Sequence, residues 1–331
     1  MEALIAFGWH RCDTKPSLEV TNHVVTAARA TGVVRYIALA TWCLGKSYAL
    51  VGDHYTSYDH LYEAYSLFNT LPLSEVESQR LGGQCGIDLM DTARFTIPDY
   101  DQVVSLARDV EMKCAALSDD DVHGHCLVTL AAVHQDQQPQ EALRCLDQAR
   151  TILKAENNHD LADVYQITSW VHYEEGRLPE ALDAIKEAWE HSKLTENPSI
   201  QAGISLDFGR FLFSANKDQE AWKYTEMSLT KASYAGNRLV TARALEYMGY
   251  GCLRRGDYQN AYAAYEAAAK NYLAINYAYE IWPWNHNMVR IKQKQENPDT
   301  VVGFDRPSID IDRTLFYPPV QASGNDVPIP S

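Results

Sequence analysis

The sequence contains no run of five lysines or arginines, and its formal net charge is −15 over 331 residues. So acidic a surface repels phosphate backbones, which argues against a nucleic-acid-binding protein. No segment approaches the ~18 consecutive apolar residues that a membrane helix needs, and residues 1–4 lack the basic residues of a signal peptide. These absences predict a protein that contacts neither nucleic acid nor membrane and works in the cytoplasm, or in the nucleus.

Patterns of catalytic or metal-binding residues are also missing. The seven cysteines are odd in number, evenly spread and without a Cys-x-x-Cys spacing, so they are expected to be buried small hydrophobic residues in a reducing compartment. The spacing of the cysteines and eleven histidines does not indicate a nucleophile with its base. We therefore expect a non-enzymatic protein that needs no cofactor and no metal.

Proline is sparse until the C-terminal end, which leaves the middle of the chain free to form helices. Within it, three stretches align with one another: 162–195, 202–235 and 242–275. Their turn residues are Gly176, Asn216 and Gly256, so two successive intervals are the same length. Such a fixed interval is the signature of a repeat architecture.

Each repeat has the pattern of two helices joined by a turn. Glycine and asparagine tolerate the left-handed conformation that ends a helix. A small residue in each second helix, and another two turns later on the same face, would let helices cross closely. Across the chain, the predicted structural positions are Gly45, Gly52, Ala142, Gly176, Ala181, Ala188, Gly209, Ala221, Gly249, Gly256, Ala261 and Ala268.

These residues resemble the tetratricopeptide repeat, most closely in Met248-Gly249, Gly256-Asp257-Tyr258, Ala261, Tyr265 and Ala268. The resemblance implies an all-α, right-handed superhelical solenoid, here of about seven antiparallel helix pairs. The interval of 40 residues between turns exceeds the ~34 usual for the family, and Thr168-Ser169 replaces its usual Leu-Gly. By its long period the array resembles sensor regions of regulatory ATPases and transcription activators.

The same frame divides the chain. Residues 1–35 are expected to form a degenerate or truncated first helix pair, and 36–275 the repeat array. A helix over 276–296 would cap the last apolar face, as arrays require. Residues 297–331 contain several prolines and are expected to form an irregular tail.

In a tetratricopeptide array the first helices of successive repeats line a concave groove. Aromatic and arginine side chains there are the usual anchors for partners. The predicted groove residues are Trp42, Lys46, Asp163, Gln166, Trp170, Tyr173, Asp207, Arg210, Phe213, Arg243, Glu246, Tyr250 and Arg254. The alternative for Trp170 and Tyr250 is a place in the core between helices.

Two short segments suggest other chemistry. Residues 118–126 include His123, His125 and Cys126, but their spacing is not that of a zinc site, and the acids before them suit a helix N-terminus. Gly45-Lys46-Ser47 resembles the end of a phosphate-binding loop, but an apolar helical run precedes it instead of a strand. Helix capping and helix crossing are the favoured interpretations.

The expected function is a protein-interaction scaffold or sensor that holds a peptide or partner segment in the groove. Arg210, Arg243 and Arg254 predict an acidic ligand with aromatic anchors, and the chain's own segment 309–317 is a candidate occupant. The alternative is a regulatory receptor for a small molecule or signal peptide. Because the first repeat begins in mid-pattern, the chain is also expected to be a fragment of a larger signalling protein.

Overall fold

The computed structural model describes residues 15–50, 53–72, 74–153, 158–195, 197–274 and 281–297. Within these ranges the chain forms fourteen α-helices and no β-strand. None of these helices is long and apolar enough to cross a membrane. In order they are α1 (Lys15–Thr31), α2 (Val34–Leu50), α3 (His54–Phe68), α4 (Val76–Thr96), α5 (Tyr100–Ala116), α6 (Asp120–His134), α7 (Pro139–Ile152), α8 (Asn158–Glu174), α9 (Leu178–Ser192), α10 (Pro198–Ser214), α11 (Asp218–Ala235), α12 (Arg238–Arg254), α13 (Tyr258–Ala274) and α14 (Ile281–Glu296).

From α2 to α13, consecutive helices pack as six antiparallel pairs, with α1 packed on α2 before them and α14 packed on α13 after them. The first helices of the pairs are α2, α4, α6, α8, α10 and α12, and each contacts the next one along the chain. The first helices therefore lie side by side, and the chain is an all-α helical solenoid. The remainder of the predicted first pair, residues 1–14, lies outside the described residues.

The three C-terminal pairs repeat at one interval. Their first helices α8, α10 and α12 begin at Asn158, Pro198 and Arg238. The turns inside these pairs have positive φ angles of 76° at Gly176, 58° at Asn216 and 74° at Gly256. Glycine and asparagine are the residues that adopt this conformation at least cost. The turn chemistry predicted from the sequence is thus present in the backbone.

Small residues are found where helices cross. The small residues of the last three second helices, and Ala142 of α7, are completely buried. On α10, a Cβ added to Gly209 would lie 2.5 Å from the Thr225 Oγ1 atom. On α12, one added to Gly249 would lie 3.0 Å from the ring of Tyr265. Glycine at these two positions lets the paired helices approach; Gly52 lies outside the described residues.

The core changes in composition along the array. From α2 to α7 it consists largely of aliphatic side chains together with the buried Cys85, Cys114, Cys126 and Cys145. From α8 to α12 it is rich in phenylalanine, tyrosine and tryptophan. At the end, Ile291 of α14 is completely buried in one cluster with Tyr265 and Tyr272 of α13. Helix α14 therefore covers the apolar face of the last pair.

Candidate functional site

The first helices enclose a groove of about 1110 Å³. Its lining comes from α2, α4, α6, α8, α10 and α12, from the start of α5 and from the turn after α6. Polar and charged side chains alternate with apolar ones along it. The polar lining residues of the array's first half are Lys46, Asp88, Asp91, Arg94, Tyr100, His125, Thr129, Gln135, Asp136 and Gln137; those of its second half are Asp163, Gln166, Trp170, Glu174, Asp207, Arg210 and Arg243.

A cluster that we call the C-terminal triad consists of Trp170, Asp207 and Arg210. The Trp170 Nε1 atom donates a hydrogen bond to the Asp207 Oδ2 atom at 2.9 Å, and the Arg210 Nη1 atom contacts the Asp207 Oδ1 atom at 3.1 Å. The side chain of Gln166 donates to the same carboxylate at 2.6 Å. Asp207 of α10 thus accepts two hydrogen bonds from α8 and one from its own helix.

Arg210 extends this network to the next repeat. Its guanidinium carbon lies 4.9 Å from the centre of the Trp170 ring and 5.2 Å from that of Tyr247 on α12. Its Nε atom also donates to the Tyr247 hydroxyl at 3.1 Å. The side chains of Arg210 and Asp207 are only 5% and 8% exposed. Their charges are therefore paired in a weakly hydrated environment, and together they connect three successive first helices.

A second cluster, the N-terminal triad, consists of Trp42 and Lys46 of α2 and Asp88 of α4. The Trp42 Nε1 atom donates to the Asp88 Oδ2 atom at 2.7 Å, and the Lys46 Nζ atom lies 3.2 Å from the same oxygen. Lys46 also lies 5.2 Å from the centre of the Trp42 ring. An indole, a carboxylate and a cation therefore occur together twice, but here the ion pair is more exposed, at 26% and 31%.

Several predicted groove residues do line the cavity: Lys46, Asp163, Gln166, Trp170, Asp207, Arg210 and Arg243. Trp42, Tyr173 and Tyr250 lie beside it in contacts between helices. Tyr173 stacks on Phe211 with ring centres 4.7 Å apart, and the ring of Tyr250 packs edge-on against Phe213 at 5.7 Å. For Tyr250 this is the inter-helix packing that the sequence left open as an alternative.

Phe213, Glu246 and Arg254 are corrections to the predicted groove set. Phe213 is completely buried. Glu246 is 6% exposed and accepts a hydrogen bond from the Tyr272 hydroxyl of α13 at 3.1 Å, so it points into its own helix pair. Arg254 ends α12 and pairs with Asp218 of α11 at 2.9 Å. The repeat alignment predicted the position of each residue along its helix, but not the direction in which its side chain points.

Sequence reasoning missed the contribution of α4 and α6. Asp88, Asp91 and Arg94 of α4 line the groove, as do His125 and Thr129 of α6. The first helices α2, α4, α6 and α8 begin at Val34, Val76, Asp120 and Asn158, so the interval of 40 residues does not extend into this half of the array. Charged residues of α4 at positions 88, 91 and 94 lie at helical spacing on one face, which was the available signal.

The predicted basic stripe is also corrected by the geometry. Arg210 is paired with Asp207 and Arg254 with Asp218. Among the described lining residues, six carboxylates (Asp88, Asp91, Asp136, Asp163, Glu174 and Asp207) outnumber four cations (Lys46, Arg94, Arg210 and Arg243). The groove therefore carries both signs of charge with a small excess of negative charge.

The two segments considered for metal or phosphate chemistry are helical. Asp119 caps α6 by accepting from the Val122 amide at 3.1 Å. Burial alone would raise the pKa of Asp119, but this amide and Arg80 outweigh it and lower the pKa. His123 contacts Glu111 at 3.3 Å, and no group of three metal-binding side chains forms in the described ranges. Gly45-Lys46-Ser47 lies within α2, where no phosphate-binding loop is formed.

Neither a protein-family model nor a curated protein matches the sequence, whereas solved structures do resemble the fold. The Rap conjugation gene regulator of plasmid pLS20, in complex with the Phr* peptide, is 14% identical with a TM-score of 0.57, covering 81% of this chain and 72% of that chain. A Rap protein complexed with Competence and Sporulation Factor is 14% identical with a TM-score of 0.54, covering 85% and 86%.

A third similar structure is PH0952 from Pyrococcus horikoshii, a signal transduction ATPase with numerous domains and a tetratricopeptide repeat sensor. It is 15% identical with a TM-score of 0.52, and the alignment covers 86% of this chain and 47% of that chain. At such identities the similarity concerns the fold. The comparisons and the helix pairing together establish that this chain has the tetratricopeptide-like helical-repeat fold.

Proposed function

We propose that this chain is a non-enzymatic interaction module whose groove binds an extended peptide segment of a partner protein. The observation that carries the proposal is the length of the groove, which is lined by six successive first helices. Neighbouring helices lie roughly 8–10 Å apart, so five intervals give roughly 40–50 Å. At ~3.3 Å per extended residue, this accommodates about 12–15 residues of peptide.

The chemistry of the lining supports the same proposal. Amide side chains at Gln135, Gln137 and Gln166 can both donate and accept hydrogen bonds, as an extended backbone requires. Apolar residues between them can contact side chains of the peptide. A compact metabolite would use only a part of so long a groove, which makes the small-molecule receptor the weaker candidate. The two Rap structures named above contain a peptide or factor, and that similarity of fold supports the proposal.

The experiment is a selection of random 15-residue peptides displayed on phage, using the full chain as bait. Enriched peptides are synthesised, and their Kd is measured by fluorescence anisotropy. Two groove substitutions test the location: Ala132→Trp in α6 and Gln137→Trp in the exposed turn after it. We expect each to weaken binding at least tenfold, because a bulky ring would occupy the groove.

The matched control is Ala263→Phe, which places a ring on the exposed face of α13 away from the groove. It should leave the Kd unchanged, and circular dichroism melts should show that all variants are folded. If no peptide is enriched, or if the enriched peptides bind both groove variants as well as the wild type, the proposal is wrong.

The chain's own segment 309–317, outside the described residues, is proposed as an internal competitor for the groove. It combines Asp310 and Asp312 with Phe316 and Tyr317. Deleting the residues after Asn297 should then lower the Kd of an added peptide. An unchanged Kd would show that this segment does not occupy the groove. The mixed charge of the lining makes an exclusively acidic ligand less favourable than the sequence suggested.

A further inference from the structure

Arg94, near the C-terminal end of α4, is a cation of the groove with open hydrogen-bond donors. It lines the groove, and its side chain is 30% exposed. Asp91, one turn earlier, lies 3.1 Å from its Nε atom, but the contact lacks the direction of a hydrogen bond, since this buried nitrogen has no hydrogen-bond partner in the described residues. The terminal Nη1 and Nη2 atoms donate no hydrogen bond within the same ranges. These two nitrogens are therefore available to a ligand.

Lys46 and Arg210 differ from Arg94 in this respect. Each belongs to one of the two triads and lies against a carboxylate that also accepts an indole hydrogen bond. The pair of Arg94 with Asp91 has no such additional partner, and its two side chains are 30% and 57% exposed. Ion pairs that are so exposed to water are weak. A carboxylate of a ligand can therefore compete with Asp91 for Arg94.

The guanidinium of Arg94 is positioned by an aromatic ring. Its central carbon lies 4.4 Å from the centre of the Phe95 ring, and this ring lies 5.6 Å from the ring of His54 on α3. A cation over an aromatic ring is attracted by the negative face of the ring, and this contact uses none of the N–H groups. Arg94 is thus held in place while its terminal nitrogens remain open to the groove.

The last turn of α6 lies beside Arg94. A Cβ atom added to Gly83 of α4 would lie 3.2 Å from the Val122 Cγ1 atom of α6, so the two helices are adjacent at this level. Arg94 and Val133 are each eleven residues further along their helices, and both line the groove. Because the first helices run in the same direction, the end of α4 is next to the end of α6.

Two glutamines follow at this end of α6. Gln135 and Gln137 line the groove, and their side chains form no hydrogen bond with the residues that the structure describes. The Tyr100 hydroxyl at the start of α5 lies 2.6 Å from the His134 Nδ1 atom, which holds the chain after α4 against the end of α6. An open guanidinium and two open amides therefore lie at one edge of the groove. We call Arg94, Gln135 and Gln137 the Arg94 corner.

We propose that the Arg94 corner is the subsite of the groove that selects an acidic residue of the bound peptide. The Nη1 and Nη2 atoms donate to the two oxygens of an aspartate or glutamate side chain, since guanidinium and carboxylate match in this bidentate geometry. The amides of Gln135 and Gln137 bond the peptide backbone beside it. The charge of Asp91 nearby favours a carboxylate over the more highly charged phosphate. This inference rests on the proposed peptide-binding function and adds a residue type that the groove selects.

The first test uses the same library of random 15-residue peptides. Enriched peptides should share an aspartate or glutamate, and they are synthesised with amidated C-termini so that no terminal carboxylate replaces the side chain. Changing the shared acid to its amide should raise the Kd for the wild type by about tenfold or more. The same change should have little effect on the Kd for Arg94→Gln, because the two groups are coupled. Equal effects on both proteins overturn the proposal.

Changes of charge at the corner give readouts that a loss of stability would not produce. Arg94→Glu should enrich peptides with a basic residue in place of the acidic one. Asp91→Asn should lower the Kd of the acidic peptide, because it removes the carboxylate that competes for Arg94. Enriched peptides without a common acidic residue, or an unchanged selection by Arg94→Glu, overturn the proposal.

The matched control is Arg150→Glu in α7. Arg150 pairs with Asp147 at 3.0 Å with the same spacing of three residues along a helix, but it does not line the groove. The Kd and the enriched peptides should be those of the wild type. Thermal melts of the Arg94 variants near the wild-type temperature are expected, since their ion pair is exposed.

The two proposals fail in different ways. If Ala132→Trp weakens binding but Arg94→Glu changes neither the Kd nor the selected residues, the peptide groove stands and the Arg94 corner is not its subsite. If no peptide binds the wild type, both proposals fail together.

Discussion

The two triads each combine an indole, a carboxylate and a cation, but in different environments. In each, an indole donates to an aspartate on the next first helix, and a cation lies against both. The ion pair of the C-terminal triad is 5% and 8% exposed, and that of the N-terminal triad is 26% and 31% exposed. Water screens the Lys46–Asp88 pair and barely reaches the Arg210–Asp207 pair. The two pairs have similar contact distances, but the Arg210–Asp207 pair is expected to be the stronger interaction.

The partners of each cation strengthen this difference. Arg210 is a planar donor that contacts Trp170, Asp207 and Tyr247 at once, whereas the compact ammonium group of Lys46 lies near the Trp42 ring and the Asp88 carboxylate. The contacts of Arg210 reach a third first helix through Tyr247. We therefore expect the second half of the array to be the more rigid part of the groove, and the following predictions test that difference.

The largest effect is expected from Asp207→Ala. It removes the carboxylate that pairs with the buried Arg210 at 3.1 Å, and loss of one member of a buried ion pair costs about 3–5 kcal/mol. Asp88→Ala removes a more exposed pair and one indole hydrogen bond, with an expected loss of about 1–2 kcal/mol. Urea unfolding followed by circular dichroism measures both. Equal losses would show that the two triads do not differ in energy.

An intermediate effect is expected from Gly209→Ala in the second half of the array. The new methyl group would lie 2.5 Å from Thr225 Oγ1 and 3.2 Å from the Ala221 carbonyl oxygen, and such overpacking costs about 1–3 kcal/mol. Gly45→Ala in the first half would meet the Leu61 Cγ atom at 2.8 Å and the Leu61 backbone nitrogen at 3.1 Å, and Leu61 is only 1% exposed, so a loss in the same range is expected. Thermal melts of the two variants provide the comparison, and a loss well below ~1 kcal/mol in either variant would contradict the prediction.

A smaller effect is expected from Lys46→Met in the N-terminal triad. The partly exposed pair contributes at most ~1 kcal/mol, and the methionine retains most of the packing against Trp42. The loss should shrink further as salt is raised from 0.05 to about 1 M, because salt screens exposed charges. A loss that does not change with salt would mean that Lys46 acts through packing alone.

The smallest change is expected from pH, through His134 of α6 between the two triads. Burial lowers the pKa of His134 below 6.5, and its Nδ1 atom lies 2.6 Å from the Tyr100 hydroxyl. Because the unfolded chain binds the proton more readily, stability should decrease as the pH falls from about 7 through 6.5. In His134→Gln the urea midpoint should change less with pH. Burial also lowers the pKa of His54 and His172, so some dependence should remain.

The sequence predicted the second half of the fold better than the first. Its interval of 40 residues and its turn glycines define α8 to α13 because local chemistry determines where those helices end. In the first half, Gly82, Gly83 and Gly86 of α4 pack against Phe68, Leu117 and Val110, contacts that depend on tertiary packing. No local pattern reveals these contacts, so the sequence could not predict which residues of α4 line the groove.

Within the site, the sequence identified which residues lie on the first helices but not how they pair. Trp170 and Asp207 are 37 residues apart, three positions short of the interval of 40, so a periodic alignment does not bring them together. Their contact follows from the directions of the two side chains across neighbouring helices. The burial of Phe213 and Glu246 has the same origin, since only the folded chain shows which side of α10 and α12 faces the groove.

The constant interval of the second half has a consequence for the evolution of the array. Loss of residues 198–237 would remove one helix pair and bring α8 next to α12 with the backbone still in phase. It would also remove Asp207 and Arg210, and Trp170 would then face a helix that carries Tyr247 and Tyr250 at the equivalent positions. The pairs are thus interchangeable as backbone units but not as side-chain partners. Gain or loss of a repeat requires compensating substitutions, and this restricts the length of the array.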